Sequence, residues 1–189
     1  CLLINISLSF TITFYNLLIN SLNSQTLKSI LFFCAILIFS RLIPHPPNFT
    51  PLIAGAIFLP FFLKDKWVII CLPILCLFIS DYFLGFHDVM IWTYGSFFII
   101  GLITNIFSTT KLKNLIGLSL SCPTVFFLIS NFGVWLGSAR YTQDFQGLIE
   151  CYYLALPFYS SSLVSTILFS SLFYFCHNFF VNRNLSKQA

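Results

Sequence analysis

A proline-rich segment joins two apolar runs of the chain and carries several hydrogen-bonding side chains. It reads R-L-I-P-H-P-P-N-F-T-P over residues 41–51. Proline fixes φ and has no backbone N–H, so this spacing of prolines predicts a rigid, extended link and not a helix. Arg41, His45 and Asn48 place a guanidinium, an imidazole and a carboxamide in the link. Because polar groups are costly beside lipid and mark functional sites there, we expect a ligand site at this link.

Arg41 has two alternative roles. A guanidinium at a helix end can hold a carboxylate or a phosphate through two parallel hydrogen bonds. It can equally extend to the lipid headgroups or pair with Asp81. The sequence leaves these roles open.

Two further polar segments follow, at residues 80–88 and 130–150, and tyrosines come directly after the second. Together with the proline link they supply donors, acceptors and Trp and Tyr rings, which suits a pocket for a small planar or zwitterionic molecule. The candidate substrate-binding residues are Arg41, His45, Asn48, Asp81, His87, Asn131, Trp135, Glu150 and Tyr152.

Metal binding and catalysis receive less support from the sequence. His45, His87, Asp81 and Asp88 are of metal-ligating types, but no H-x-H or H-x-x-x-H pair sets them in register. Solvated-loop or structural roles are the alternative for each. The sequence also has no G-x-S-x-G, H-E-x-x-H or G-x-x-x-x-G-K-[ST] motif. We therefore predict no catalytic residue, no metal site, no cofactor and a protein that is not an enzyme.

The elements that carry these segments are predicted to be membrane helices. The chain of 189 residues is 58% hydrophobic and 7% charged, against about 25% charged residues in a soluble domain. Uncharged intervals such as 89–110, 114–139 and 151–182 can cross about 30 Å of hydrocarbon as helices. Period-two alternation, which is typical of a transmembrane barrel, is absent. The fold class is therefore all-α, an integral membrane bundle in the lipid bilayer.

Six spans are predicted, and an apolar N-terminal extension with a polar linker, residues 1–26, precedes them. The extension fits an extra helix, an interfacial segment or the remnant of a longer element. Residues 27–182 form the six-helix domain and residues 183–189 a cytoplasmic tail. The second span is short and is expected to lie away from lipid. The predicted spans are residues 27–43, 51–63, 66–84, 89–108, 113–136 and 158–181.

Charges sort cleanly between the two sides of this arrangement. One side receives seven basic residues and one acidic residue, and the other receives two basic and four acidic residues. Because cytoplasmic loops carry the excess of Lys and Arg, the first side is predicted to be cytoplasmic, together with both ends of the six-helix core. The three polar segments then lie outside, in a multi-pass protein of the cell membrane. The basic residues fall at helix ends, so no nucleic-acid partner is implied.

The motifs resemble an uncharacterised family of small bacterial membrane proteins. Its pattern reads R-x-x-P-H-P-P-N-F-x-P, S-D-x-x-L-G-F-H and S-N-F-G-V-W, followed by G-L-x-x-C-Y and P-F, and residues 27–181 match it. In architecture this family is similar to the substrate-binding S subunits of energy-coupling-factor (ECF) vitamin transporters. The resemblance implies six helices, cytoplasmic termini and a vitamin-like molecule bound near the outer face. It also implies a transmembrane coupling subunit and a pair of ATPases as partners.

Three hypotheses about function follow. The leading one is capture and inward passage of a small micronutrient-like substrate. The second is an accessory or structural membrane subunit, which predicts that the polar motifs bond to one another and enclose no cavity. The third is a metal-dependent membrane enzyme, which needs His45, His87 and the nearby acids to converge within a few ångströms.

Overall fold

The computed structural model describes the backbone of residues 24–107 and 112–186, and the side chains of residues 27–107 and 112–179. Within these residues the protein contains helices and no strand, so the all-α prediction is confirmed. Most of the predicted N-terminal extension, and the end of the predicted tail, lie outside the described residues. The helices are α1 (Ser24–Leu42), α2 (Leu52–Phe62), α3 (Lys66–Leu84), α4 (Met90–Phe107), α5 (Leu112–Gly137) and α6 (Phe145–Ser186).

In the described part of the chain, four helices are long and apolar enough to cross a membrane: α3, α4, α5 and the Phe145–Phe179 part of α6. Large apolar side chains on their surfaces are exposed, as lipid-facing positions are expected to be; Trp67 is 67% and Ile91 is 76% exposed. These features are those of a multi-pass membrane protein.

The chain divides into two compact units, Cys1–Ile36 and Leu37–Ala189. The described part of the first unit is the helical segment 24–36. The second unit contains the end of α1, all of α2 to α6 and every residue of the candidate site. Within it, α3, α4, α5 and α6 pack against one another in chain order, and α2 packs against all four.

The short helix α2 lies in the interior of the second unit. Residues Leu52 to Leu59 are all buried, and Phe62, at the end of the helix, is exposed. Its 11 residues span only about 16 Å at 1.5 Å per residue, roughly half of the hydrocarbon thickness. Ring contacts between Phe58 and Phe173, and between Phe61 and His177, align α2 with the C-terminal half of α6. Helix α2 therefore fills only part of the depth of the bundle.

Helix α6 begins at Phe145, well before the predicted start at residue 158. The Asp144 carboxylate explains the early start, because it accepts hydrogen bonds from the Gly147 backbone N–H at 2.7 Å and the Thr142 hydroxyl at 2.8 Å. These bonds hold the pKa of Asp144 below its ordinary value. Pro157 lies within the helix and does not end it.

The close approach of α4 and α5 depends on Gly133, in the S-N-F-G-V-W motif. A Cβ atom at this position would overlap the Trp92 side chain, including the Trp92 Cβ. The Trp92 ring also packs edge-on against Phe132, with ring centroids 5.4 Å apart. Glycine is therefore the residue that lets the two helices meet here.

Candidate functional site

A cavity of about 690 Å³ opens at one end of the second unit. We call this the loop end, because the connections 43–51, 85–89 and 138–144 lie there. His45, His87 and Arg140 come from three different connections, line the cavity and are exposed, so they mark its mouth. The volume is within the range of about 300–1,000 Å³ that is typical of small-molecule sites.

The cavity exists because α2 is too short to fill the bundle. Leu52 and Ile53, in the first turn of α2, line the cavity and form its floor. One face of α6 forms a wall, and its lining residues run from Cys151 to Ser162. That interval corresponds to about 16 Å along the helix axis. The space above α2 that a full-length helix would occupy is thus left open toward the loop end.

Arg41 is held by its Nη1 atom at the side of the cavity. Nη1 donates to Asp81 Oδ1 at 2.7 Å, to the Leu77 carbonyl at 3.3 Å and to Ser80 Oγ. The second carboxylate oxygen of Asp81 accepts a hydrogen bond from the Tyr94 hydroxyl at 2.9 Å. The ion pair with Asp81 is therefore present, and the guanidinium also lines the cavity. Among the described residues, Nη2 and Nε of Arg41 have no hydrogen-bond partner.

Four more predicted residues line the cavity: His45, Asn48, His87 and Asn131. The His45 ring Nδ1 lies 2.8 Å from the Pro46 carbonyl. Asn48 has a left-handed backbone conformation, φ 60°, which asparagine tolerates better than most residues. Asn131 Nδ2 donates to the Phe127 carbonyl of its own helix at 2.8 Å, which leaves the side-chain oxygen for another donor. The structure thus brings together five of the nine candidate residues.

The other four candidates do not line the cavity. Asp81 lies behind Arg41 and is 1% exposed. Trp135 Nε1 donates to the Thr142 carbonyl at 2.9 Å, and so fixes the connection between α5 and α6. The Tyr152 hydroxyl donates to the Leu128 carbonyl at 2.6 Å. Glu150 is exposed on α6 and forms no ion pair with Arg140 in the described structure. These residues support the walls of the cavity or its surroundings.

The charges at the cavity wall are of one sign. Two arginines, Arg41 and Arg140, line it together with His45 and His87, and no Asp or Glu is among the lining residues that the structure describes. Within the same described ranges, no three His, Cys, Asp or Glu residues lie close enough together to hold a metal ion. Positive groups and neutral donors therefore dominate the polar part of the wall.

Ser162 lines the cavity, although the sequence argument did not select it. It is 1% exposed, and its hydroxyl has no hydrogen-bond partner among the residues that the structure describes. The signal for it was present: Cys151, Ala155, Phe158 and Ser162 follow a helical period and all line the cavity. Recognising that face would have required knowing that α6 is already helical at Cys151.

Comparison with protein families finds a match over most of the chain. The profile of DUF6580, described as a family of unknown function, matches residues 20–187. No curated protein and no solved structure matches the chain. Because the match covers most of the chain, the protein belongs to the DUF6580 family.

Proposed function

We propose that the protein captures a small, vitamin-like molecule in this cavity and delivers it across the membrane, as the S subunits of ECF transporters do. The observation that carries the proposal is the cavity itself, lined by Arg41, His45, Asn48, His87 and Asn131. A coupling subunit and ATPases would then supply the energy, because the chain has no phosphate-binding loop of its own.

The proposal includes an orientation in the cell membrane. The protein has six spans, the loop end faces outward and both ends of the six-helix core are cytoplasmic. Support comes from the charges, because Lys64 precedes α3, and Lys66 and Lys113 lie in the first turns of α3 and α5, at the ends of these helices away from the loop end. A substrate would then enter from outside through the mouth of the cavity.

An accessory or structural subunit is the alternative. It predicts that the polar motifs bond to one another, and the Arg41–Asp81 pair is a bond of that kind. It also predicts that no cavity is enclosed, whereas the side chains of Asn48, His87 and Asn131 line one of about 690 Å³. A metal-dependent enzyme has less support, since Asp81 is engaged by Arg41 and Tyr94. Ligand binding accounts for more of the arrangement than either alternative.

The test is to identify small molecules that stay with the full-length protein during purification. Mass spectrometry of an extract should find a small molecule at near-stoichiometric amounts with the wild type and much less of it with Asn131→Ala. Leu128→Ala is the matched control, because Leu128 is half-exposed on the same helix and does not line the cavity. Equal amounts of the molecule in all three proteins would contradict binding in this cavity. Finding no bound molecule, together with no binding from a library of vitamins and related compounds, would contradict the proposed function.

A further inference from the structure

We infer that the ligand of this cavity carries an anionic group, a carboxylate or a phosphate, which binds at the free edge of Arg41 and beside Arg140. The inference rests on the proposed function and narrows it to a class of ligand. The first support for this inference is the charge distribution. Among the residues that the structure describes, two arginines and no Asp or Glu line the cavity. A cation placed there would find no counter-charge on the wall.

The geometry at Arg41 favours an anion over a neutral acceptor. Asp81, Ser80 and the Leu77 carbonyl all bind the Nη1 atom, which fixes the guanidinium in place. Its remaining edge offers N–H groups from Nη2 and Nε in one plane, the arrangement that matches the two oxygens of a carboxylate or phosphate.

Arg140 supplies the charge that the Arg41–Asp81 pair does not. The pair is neutral overall, whereas Arg140 is exposed at the mouth and its guanidinium forms no ion pair or hydrogen bond with the described residues. An anion in the cavity would therefore meet one uncompensated positive charge, although water at the mouth screens it in part.

The floor of the cavity also presents donors. Helix α2 begins at Leu52, and its N-cap residue, Pro51, has no side-chain hydrogen bond to the first turn. The N-terminal N–H groups of a helix carry a partial positive charge and favour anions or acceptors. The unpartnered hydroxyl of Ser162, 1% exposed, is a second and independent group at the cavity wall that requires a partner. A ligand oxygen would satisfy it.

Much of the remaining wall is apolar, although Thr50, Thr93, Ser130 and Tyr141 also line it. Phe97, Phe126 and Phe158 line it, so the part of the ligand away from the anionic group is expected to be aromatic or aliphatic. The substrate class is therefore an amphipathic organic anion, and not an amine, a sugar or a metal ion.

The test uses probe compounds of one shape and different charge: benzoate, phenyl phosphate, benzamide and benzylamine. Binding to the full-length protein in detergent is measured by titration calorimetry. We expect the two anions to bind at least about tenfold more tightly than the neutral and cationic probes, a difference of about 1.4 kcal/mol. Arg140→Gln should weaken anion binding by a similar factor. Lys64→Gln, which removes one positive charge from an exposed residue away from the cavity, should leave binding unchanged.

Arg41 requires a second variant, because Arg41→Gln alone strands a buried carboxylate. The double variant Arg41→Gln with Asp81→Asn removes both charges of the pair, and we expect it to lose anion binding while remaining folded by circular dichroism. Repeating the titration in nanodiscs with and without phosphatidylglycerol distinguishes the source of the anion. Competition by that lipid identifies a headgroup, and no competition identifies a soluble anion.

The inference is wrong if benzamide or benzylamine binds as tightly as benzoate, or if Arg140→Gln leaves the affinity for the anions unchanged. Either result would still be compatible with the proposed function, since a small molecule would still bind in the cavity. If none of the four probes and no library compound binds, both the inference and the proposed function are contradicted.

Discussion

The ion pair between Arg41 and Asp81 is predicted to be strongly asymmetric in its contribution to stability. The Asp81 side chain is 2% exposed and that of Arg41 is 18% exposed. Arg41→Gln leaves an almost fully buried carboxylate without its counter-ion, and removing one member of a buried pair costs about 3–5 kcal/mol. Asp81→Asn leaves a guanidinium at a water-accessible cavity wall, still bonded to Ser80 and the Leu77 carbonyl. Asp81→Asn is therefore expected to lower the free energy of unfolding by the contribution of the charge-assisted hydrogen bonds, about 1.5–3 kcal/mol.

The double variant completes the cycle. With both charges removed, no unpaired charge remains, so the free energy of unfolding should be close to that of Asp81→Asn alone. The coupling energy between the two positions should then equal the cost of Arg41→Gln alone, about 3–5 kcal/mol. Unfolding is followed by tryptophan fluorescence and circular dichroism as sodium dodecyl sulfate is added to dodecyl maltoside micelles. The reasoning is refuted if Asp81→Asn is the more damaging single change, or if the two losses add to within about 0.5 kcal/mol.

Three further predictions concern Ser162 at the cavity wall, the start of α6 and the contact between α4 and α5. Ser162→Ala should stabilise the ligand-free protein by about 1 kcal/mol and weaken ligand binding. Ser165→Ala removes hydrogen bonds from the Ser165 hydroxyl to two carbonyls and should destabilise the protein. Thermal unfolding checks the stabilities, and titration checks the binding. The pKa of the Asp144 carboxyl is lower in the folded protein than in the unfolded chain, so its stabilising contribution is present above the unfolded pKa and is lost as pH falls through the folded pKa. Asp144→Asn keeps a helix cap and should reduce this loss of stability in acid. Unfolding measured from pH 6 to pH 3 checks this. Gly133→Ala should cost about 1–3 kcal/mol by overpacking against Trp92, seen as a lower midpoint in the detergent titration.

Each of these three has a result that would contradict it. Destabilisation by Ser162→Ala would mean that its hydroxyl has a protein partner. An unchanged pH profile in Asp144→Asn would remove this carboxylate from the acid response. Wild-type stability of Gly133→Ala, with Gly137→Ala as the control where nothing lies within 4 Å, would mean that α4 and α5 do not approach closely here.

Much of the helical arrangement was predictable because proline, glycine and charge mark helix ends strongly in a chain with few polar residues. The predicted spans 66–84 and 89–108 differ little from α3 and α4. The predicted start at residue 158 comes after Pro157, whereas α6 begins at Phe145 and continues through that proline. A single proline disrupts only one turn when the neighbouring turns are packed, and the capping signal at Asp144 was the better guide.

The sequence predicted some of the residues that line the candidate site, but not how they are arranged. The polar residues of the proline link can be recognised from type alone, and Arg41 and Asn48 do line the cavity. The sequence could not show that the basic candidates line the cavity and the acidic ones do not. That depends on the packing, which places Asp81 behind Arg41 and leaves Glu150 outside the cavity. The sequence also could not show the empty space above α2, which follows from the length of one helix relative to its neighbours.

The central claim is that a water-accessible cavity opens outward at the loop end, and cysteine labelling tests it most directly. Ser130 lines the cavity, and Leu128 on the same helix does not. In a background with Cys151→Ser, the charged, membrane-impermeant reagent 2-sulfonatoethyl methanethiosulfonate is added to the outside of intact cells. The account predicts fast modification of Ser130→Cys and little modification of Leu128→Cys. Equal rates at the two positions, or modification of Ser130→Cys only after the cytoplasmic side is opened to the reagent, would contradict it.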